Sequence, residues 1–327
     1  MKRRNFLKAA ALSMGSAAAK KGLGGAEEAG SGEASSSTNP PALSRREYGK
    51  TGIHLSIIGL GGIVVMNADQ KHANAVVAEA VERGVNYFDV APSYGNAEEI
   101  LGPALEPHRK KVFLACKTGQ RQREGAQAEL ECSLKRLRTD YLDLYQIHGI
   151  QDVVQDVDTV FSKGGAMETL IEAKKSRRVR FLGFSAHTVG AAVAAMDRFD
   201  FDSVLFPINF ACSYREGFET EVVNKAKEKG VTLLALKALA RQVWPKNDPD
   251  REKYGKCWYQ PVSDPHAAEL ALKFTLSQPV TAAIPPGEEA LFRLALDLAM
   301  QFRPIKPAEE EELTALAQAL NPIFKAA

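Results

Sequence analysis

From Arg45 onward, short apolar runs alternate with amphipathic ones. The apolar runs are Leu55–Leu60, Asn86–Val90, Lys111–Cys116, Tyr141–Ile147, Val179–Phe184, Ser203–Ile208, Val231–Leu236 and Thr281–Ile284. Most are continuous rather than alternating, as expected of strands buried on both faces. Between them lie helical patterns. Glu129–Leu137 sets Leu130, Leu134 and Leu137 on one face, and Glu168–Lys175 does the same with Leu170 and Ala173. Further helices are expected over Ala73–Arg83, Gly217–Lys229, Pro265–Leu276 and Glu288–Met300. Gly84 and Gly230 stand where helices hand over to strands, the usual left-handed cap.

Strict alternation of strand and helix implies a parallel sheet with right-handed crossovers. Eight such units match a (β/α)8 TIM barrel, an α/β fold that typically takes about 250 residues. A doubly wound open sheet is the rival, but eight units is long for one, and no GxGxxG follows the first strand. Ahead of the first unit, Arg46–Tyr48 and Ile53–Leu55 flank Gly49-Lys50-Thr51-Gly52. This reads as a β-hairpin that plugs the bottom of the barrel. Ala308–Leu320 is an extra acidic amphipathic helix beyond the eighth unit. Two connections are long: Ile150–Gly165, and Ala240–Val262 with Trp244, Tyr254, Trp258 and Tyr259. Such loops are usually functional. The aromatics suit either a lid over substrate or packing onto the rim.

Composition changes this picture little. The chain has 327 residues, 45% hydrophobic and 25% charged, with a formal net charge of +2. No strong field draws it to nucleic acid or an anionic membrane. The four cysteines, Cys116, Cys132, Cys212 and Cys257, form no CxxC pair. They read as free thiols, mostly in the core, and no metal site is expected. The N-terminus does add something. Lys2-Arg3-Arg4-Asn5-Phe6-Leu7-Lys8, followed by a weakly apolar run to Ala19, resembles a twin-arginine signal. The run is too short to span a bilayer. It implies an exported, periplasmic protein handled by the twin-arginine machinery, or a cytoplasmic one if the signal goes unused. Residues 20–44, rich in Gly, Ala, Ser and Glu, read as a flexible linker, which leaves 45–327 for the barrel.

The chemistry sits at strand ends, where a TIM barrel keeps its active site. Asp89 and Tyr94 follow the second strand, Lys117 ends the third and His148 ends the fourth. Each alone is a weak signal. Together they place a carboxylate, a phenol, an ammonium and an imidazole on three adjacent strand ends. A phenol with an unperturbed pKa of about 10 becomes a better acid beside a cation. Lys117 can be that cation, Asp89 can hold it, and His148 can orient a substrate oxygen. Such a set completes hydride transfer to a carbonyl, with the hydride coming from a cofactor.

The order Asp, Tyr, Lys, His resembles that of the aldo/keto reductase family. The segment ELECSLKRLRTDYLDLYQIHG (129–149) is similar to its signature between the third and fourth strands. REYGKTGIHLSIIGLGG (46–62) and GAMETLIEAKKSRRVRFLGFSAH (165–187) are similar as well. The likeness runs from about Arg46 to about Leu296. It implies a barrel that binds NADPH or NADH across its top and interconverts carbonyl compounds and alcohols. Tyr94 would be the general acid/base, Lys117 and Asp89 would tune it, and His148 would orient the carbonyl.

The resemblance also implies cofactor contacts at Gly61, Gly62, Ser185, Asn209, Lys237, Leu239, Pro285, Gly287 and Arg293. Here the chain departs from the family in places. Ala186 stands where an Asn often follows Ser185, and Asn209 where a Gln is common. Lys237-Ala238-Leu239 replaces an aromatic or Ser after the seventh strand. Lys237 could meet the diphosphate or the substrate, or be a solvated charge at the strand end. Glu288 and Glu289 would repel a 2′-phosphate that only Arg293 could attract, which weakens the family's usual preference for NADP over NAD. A regulatory or sensor protein of the same fold with little turnover is the alternative. A hydrolase would need paired carboxylates or a metal at the strand ends, and neither is there.

Overall fold

The computed structural model describes residues 43–325. The leader expected over 1–19, and the linker over 20–44 up to residue 42, lie outside the described residues. Eight parallel strands run in sequence order around a (β/α)8 barrel. They are β1 (Leu60–Gly61), β2 (Tyr87–Asp89), β3 (Phe113–Thr118), β4 (Leu142–Ile150), β5 (Val179–Ala186), β6 (Ser203–Pro207), β7 (Thr232–Leu236) and β8 (Ala282–Ile284). The seam between first and last strands is closed just before β1. Ile58 pairs in parallel with Ala283. Gly59 N donates to Ala283 O at 3.0 Å, and Ala283 N donates to Ile57 O at 2.9 Å. Glycine is required there, because a Cβ at Gly59 would come within 2.5 Å of the Tyr87 ring and 2.6 Å of Ile284.

The helices that cover the barrel include α1 (Gln70–Glu82), α2 (Ala97–Leu105), α3 (Arg123–Arg136), α4 (Ala166–Lys175), α5 (Val189–Arg198), α6 (Phe210–Glu216), α7 (Thr220–Lys229), α8 (Pro265–Ser277) and α9 (Glu289–Met300). An additional α10 (Pro307–Gln318) follows the eighth unit, as its amphipathic pattern predicts. Several helices start on side-chain caps, such as Asp69, Thr188 and Asp264. Gly217 and Gly230 end α6 and α7 in the left-handed conformation.

Two apolar layers result from the period-2 geometry of the strands. Outward residues such as Phe88, Leu114, Cys116, Tyr145 and Phe184 pack against the helices. Inward residues Tyr87, Phe113, Ala115, Leu144, Leu205, Leu234 and Ala282 fill the barrel. The N-terminal hairpin, Arg45–Glu47 against His54–Ser56, closes the bottom. Its turn side delivers Tyr48 and Leu55, both fully buried, into the barrel interior. The Tyr48 ring lies 5.0 Å from that of Phe113 and 5.1 Å from that of Phe181. Cys116, Cys212 and Cys257 are buried free thiols, and Cys132 is exposed.

The loop from Ala240 to Val262 is neither wholly lid nor wholly rim. Ala240–Gln242 and Gln260–Pro261 pair as a small antiparallel ribbon. Trp244 and Tyr254 pack with Cys257 and Leu291, so they fasten the loop to α9. The Trp244 indole donates to Cys257 O at 2.9 Å. Trp258 and Tyr259 line the cleft at the top of the barrel.

Candidate active site

Following the inward positions up each strand, the aromatic layer gives way to ionisable groups. On β2 the order is Tyr87, Asp89. On β3 it is Phe113, Ala115, Lys117. On β4 it is Leu144, Gln146, His148. Register places Asp89 beside Ala115 and Lys117 beside Gln146. These side chains therefore sit at the C-terminal mouth above a packed floor.

The Lys117 ammonium is buried and pairs with the Asp89 carboxylate. It also donates to Val90 O at 3.3 Å. The second Asp89 oxygen accepts from Gln146 Nε2 at 3.1 Å and from the Tyr87 hydroxyl at 3.4 Å. Both carboxylate oxygens are thus engaged, as a buried ion pair requires. Burial alone would push the Lys117 ammonium down, but Asp89 and Tyr94 outweigh it and carry its pKa above the ordinary value.

Tyr94 comes from the turn between β2 and α2, held by Tyr94 N to Ala91 O and Ala97 N to Tyr94 O, each 3.0 Å. Its ring centroid lies 5.0 Å from the Lys117 ammonium. It meets the His148 imidazole edge-on at 5.7 Å. Lys117 lowers the phenol as expected, but burial outweighs it. Desolvation pushes Tyr94 up, Lys117 pulls it back only in part, and Asp89 adds to the rise. The net direction is upward because burial is the largest of these effects.

Burial, with Lys117 and His187 adding, pushes the His148 imidazole down to about 3, so it is neutral at neutral pH. Its Nδ1 lies 3.3 Å from Ser93 Oγ. At β4 the ladder breaks its register between Ile147 and Ile150, where Gly149 takes a positive φ of 60°. That bulge turns the Gly149 N–H onto Ser185 Oγ at 2.8 Å.

A cavity of about 240 Å³ opens over this floor. Asp89, Tyr94, Lys117 and His148 line it, along with Gly61, Ser185, Lys237, Pro285 and Gly287. The remaining expected cofactor residues lie off its wall. Gly62 is a packing position, since a Cβ there would come within 2.6 Å of Val90. Leu239 is fully buried in the core. Asn209 caps α6, its Oδ1 accepting from Cys212 N at 3.0 Å. Arg293 is held by Glu79 at 2.7 Å and by Glu289. The charge that would greet a 2′-phosphate is therefore matched within the chain.

A nicotinamide carboxamide needs a donor to its oxygen. Asn209 Nδ2, buried and with no partner among the described residues, is one. Asn209 stands behind the cavity wall, whereas the Ser185 hydroxyl is on it and, accepting from Gly149 N, keeps its own proton to donate. The residues present fit a dinucleotide in that respect, while Ala186 offers it no polar group.

Several contributors escaped sequence reasoning. Gln146 and Tyr87 were readable, since stepping two residues back from His148 and Asp89 finds them. His187, two after Ser185, also lines the cavity. Lys256 has its Nζ donating to Val64 O at 2.8 Å and its backbone N–H to Glu288 at 2.6 Å. Phe324 stacks on His187 at 5.4 Å and on Phe218 at 5.4 Å, with no local signal for either contact.

Comparison with known proteins decides the family. A model of the Aldo/keto reductase family matches residues 57–289. The chain belongs to the aldo/keto reductase family. It is 33% identical over 212 residues to aldo-keto reductase YhdN of Bacillus subtilis, a match covering 58% of this chain and 60% of that protein. It is 29% identical over 213 residues to L-galactose dehydrogenase of Arabidopsis thaliana, covering 60% and 65%. The chain thus spans less than two thirds of the length of these curated relatives. Among solved structures, aldo-keto reductase AKR11C1 from Bacillus halodurans, in its holo form, superposes with a TM-score of 0.67 at 22% identity. That match covers 85% of this chain and 98% of the other, and it shows the shared fold.

Proposed function

We propose that this aldo/keto reductase is an NAD(P)-dependent oxidoreductase that interconverts a carbonyl compound and its alcohol, with Tyr94 as general acid/base. The observation that carries the reading is the buried Lys117 ammonium, held by Asp89 and set against the Tyr94 ring, with a neutral imidazole at the ring edge. Bound NADH or NADPH supplies the hydride. The chain supplies the proton. Tyr94 gives its phenolic proton to the carbonyl oxygen as charge develops there, and in reverse takes the alcohol proton. Lys117 stabilises the phenolate that forms, because a fixed positive charge favours the deprotonated partner. His148 accepts from Ser93 at Nδ1 and presents its other N–H to the substrate oxygen.

Gly61, Ser185, Lys237, Pro285 and Gly287 are the wall against which the dinucleotide would lie, and the Ser185 hydroxyl would serve its carboxamide. The compensated Arg293, together with Glu288 and Glu289, supports a weakened family preference for NADPH over NADH. The test is consumption of each cofactor with a panel of aldehydes and ketones, wild type against Tyr94→Phe. Tight cofactor binding without turnover of any substrate would defeat the enzyme reading and favour a sensor.

We further propose export through the twin-arginine route, supported by Arg3-Arg4-Asn5-Phe6-Leu7-Lys8. That route carries folded proteins, so a nucleotide could be loaded before transport and recycled by a second substrate at the same site. Cell fractionation tests it: an unprocessed, wholly cytoplasmic chain would end the proposal.

A further inference from the structure

Lys237 is the first residue after β7 and the one non-glycine residue of the described cleft wall with a positive φ, 68°. A side chain in the left-handed region is disfavoured, and such strain persists where the surroundings impose it. It puts the Lys237 ammonium 5.4 Å from the Trp258 ring centroid and 5.1 Å from that of Tyr259. Aromatic faces stabilise a cation but leave its three N–H donors wanting acceptors. Among the described residues no carboxylate pairs with it. The only acidic side chain on the cavity wall is Asp89, which is taken by Lys117. His187 lines the same cavity, its ring stacked on Phe324.

We infer that Lys237 and His187 form a carboxylate-recognition pair, so that the substrate is a carbonyl compound that also carries a carboxylate. This rests on the oxidoreductase reading and names its substrate class. Of the other lysines on the wall, Lys117 is paired with Asp89 and Lys256 is turned to Val64 O at 2.8 Å, so the Lys237 ammonium beside the His187 imidazole is left to match a single negative charge. The pair also sits with the tetrad. Lys117 bears on the charge of Lys237, and Lys237 on those of His148 and His187. The cavity, about 240 Å³, is of a size for a small molecule, and its low-dielectric walls strengthen a charge-assisted hydrogen bond. Trp258 and Tyr259 would cover the apolar part of the substrate. An anion could also come from the cofactor diphosphate, and the experiment separates the two sources.

The experiment pairs pyruvate with methyl pyruvate, and succinic semialdehyde with butanal, in wild type, Lys237→Met, Lys237→Arg and His187→Gln. Dissociation constants of NADH and NADPH are measured on the same proteins. A second readout follows pyruvate binding to the cofactor-bound protein by the fluorescence of Trp258, which needs no turnover.

The expected result is a wild-type kcat/KM about 10- to 100-fold higher for the anionic member of at least one pair, expressed in KM. Lys237→Met should bring that ratio close to one, Lys237→Arg should retain part of it, and His187→Gln should lower it less. A wild type without preference in either pair overturns the inference. So does a Lys237→Met protein whose cofactor affinity falls while the ratio holds, which assigns the lysine to the diphosphate. If pyruvate binds in a Lys237-dependent way yet nothing is turned over, the oxidoreductase reading fails and the anion site stands.

Discussion

The floor of the cleft and its rim are built in different ways. Asp89, Lys117, Gln146 and His148 rise from three hydrogen-bonded strands, and register fixes which side chains meet. The rim is made of loop residues. Lys237 holds a left-handed backbone, Trp258 is 56% exposed, and Phe324 arrives from beyond the last helix. Polar groups on the floor are largely partnered, whereas the Lys237 ammonium on the rim meets two aromatic rings and, among the described residues, no carboxylate. A largely partnered floor, with Gln146 Oε1 left over among the described residues, can hold a proton donor rigid. A rim with unspent donors is built to be completed by ligands. In barrels generally, conserved scaffolds with variable loops carry many chemistries.

Perturbing the floor should cost most. Tyr94→Phe removes the transferable proton and little else, so kcat should fall by about 10²- to 10⁴-fold with the melting temperature nearly unchanged. Steady-state kinetics with any accepted carbonyl checks this. Lys117→Met leaves Asp89 buried with only Gln146 and Tyr87 as partners. Stability should fall by about 3–5 kcal/mol in urea denaturation, and the double variant Asp89→Leu/Lys117→Met should recover much of it. No recovery would mean the loss is one of packing rather than of charge.

Acid should act next. The His148 and His187 imidazoles are held down to about 3 and about 4, against about 6.5 in an unfolded chain. Between these values the unfolded state binds protons the folded state refuses, so their stabilising contribution is present above about pH 6.5 and is lost as pH falls. For one such group the melting temperature should drop by roughly 3 °C per pH unit below 6. His187→Asn should flatten that slope relative to wild type while changing little at pH 8. Parallel slopes would show that His187 is protonated in the folded protein.

The smallest effect is at the outer rim. Glu79→Gln with Glu289→Gln frees Arg293 from its partners. The NADPH over NADH ratio of affinities should then rise by a few-fold, in line with an exposed charge pair of about 0.2–1 kcal/mol. An unchanged ratio would place the 2′-position out of reach of Arg293.

This contrast also explains what the sequence made legible. Continuous apolar runs ending in ionisable residues revealed seven strands with little error, the hairpin plug and the tetrad, because strand alternation is a local rule. The first strand was drawn as Leu55–Leu60, but Leu55 and Ser56 belong to the plug and the ladder with β2 begins at Leu60. Helix α2 gave a poor local signal because it contains Gly102 and Pro103. Gly102 is there for packing, since a Cβ would meet Arg136 O at 2.2 Å. The rim depends on contacts across the fold, such as Lys256 to Val64 and Phe324 to His187, and neither leaves a periodic trace. The net upward shift of Tyr94 was not legible for a related reason: the sequence supplies the cation, but only the structure shows how dry its surroundings are.

The seam has a consequence of its own. Ile57, Gly59 and Ala283 join the barrel's first and last strands through two backbone hydrogen bonds, and Gly61 and Gly287 continue from those strands into the cavity wall. A molecule lodged there would span the line along which the sheet is stitched shut. Its affinity and the resistance of that stitch to opening are then linked quantities, each reporting the other through mass action. Amide exchange at Gly59 and Ala283 should therefore slow with ligand concentration before any other part of the sheet responds, which makes the seam an internal gauge of occupancy.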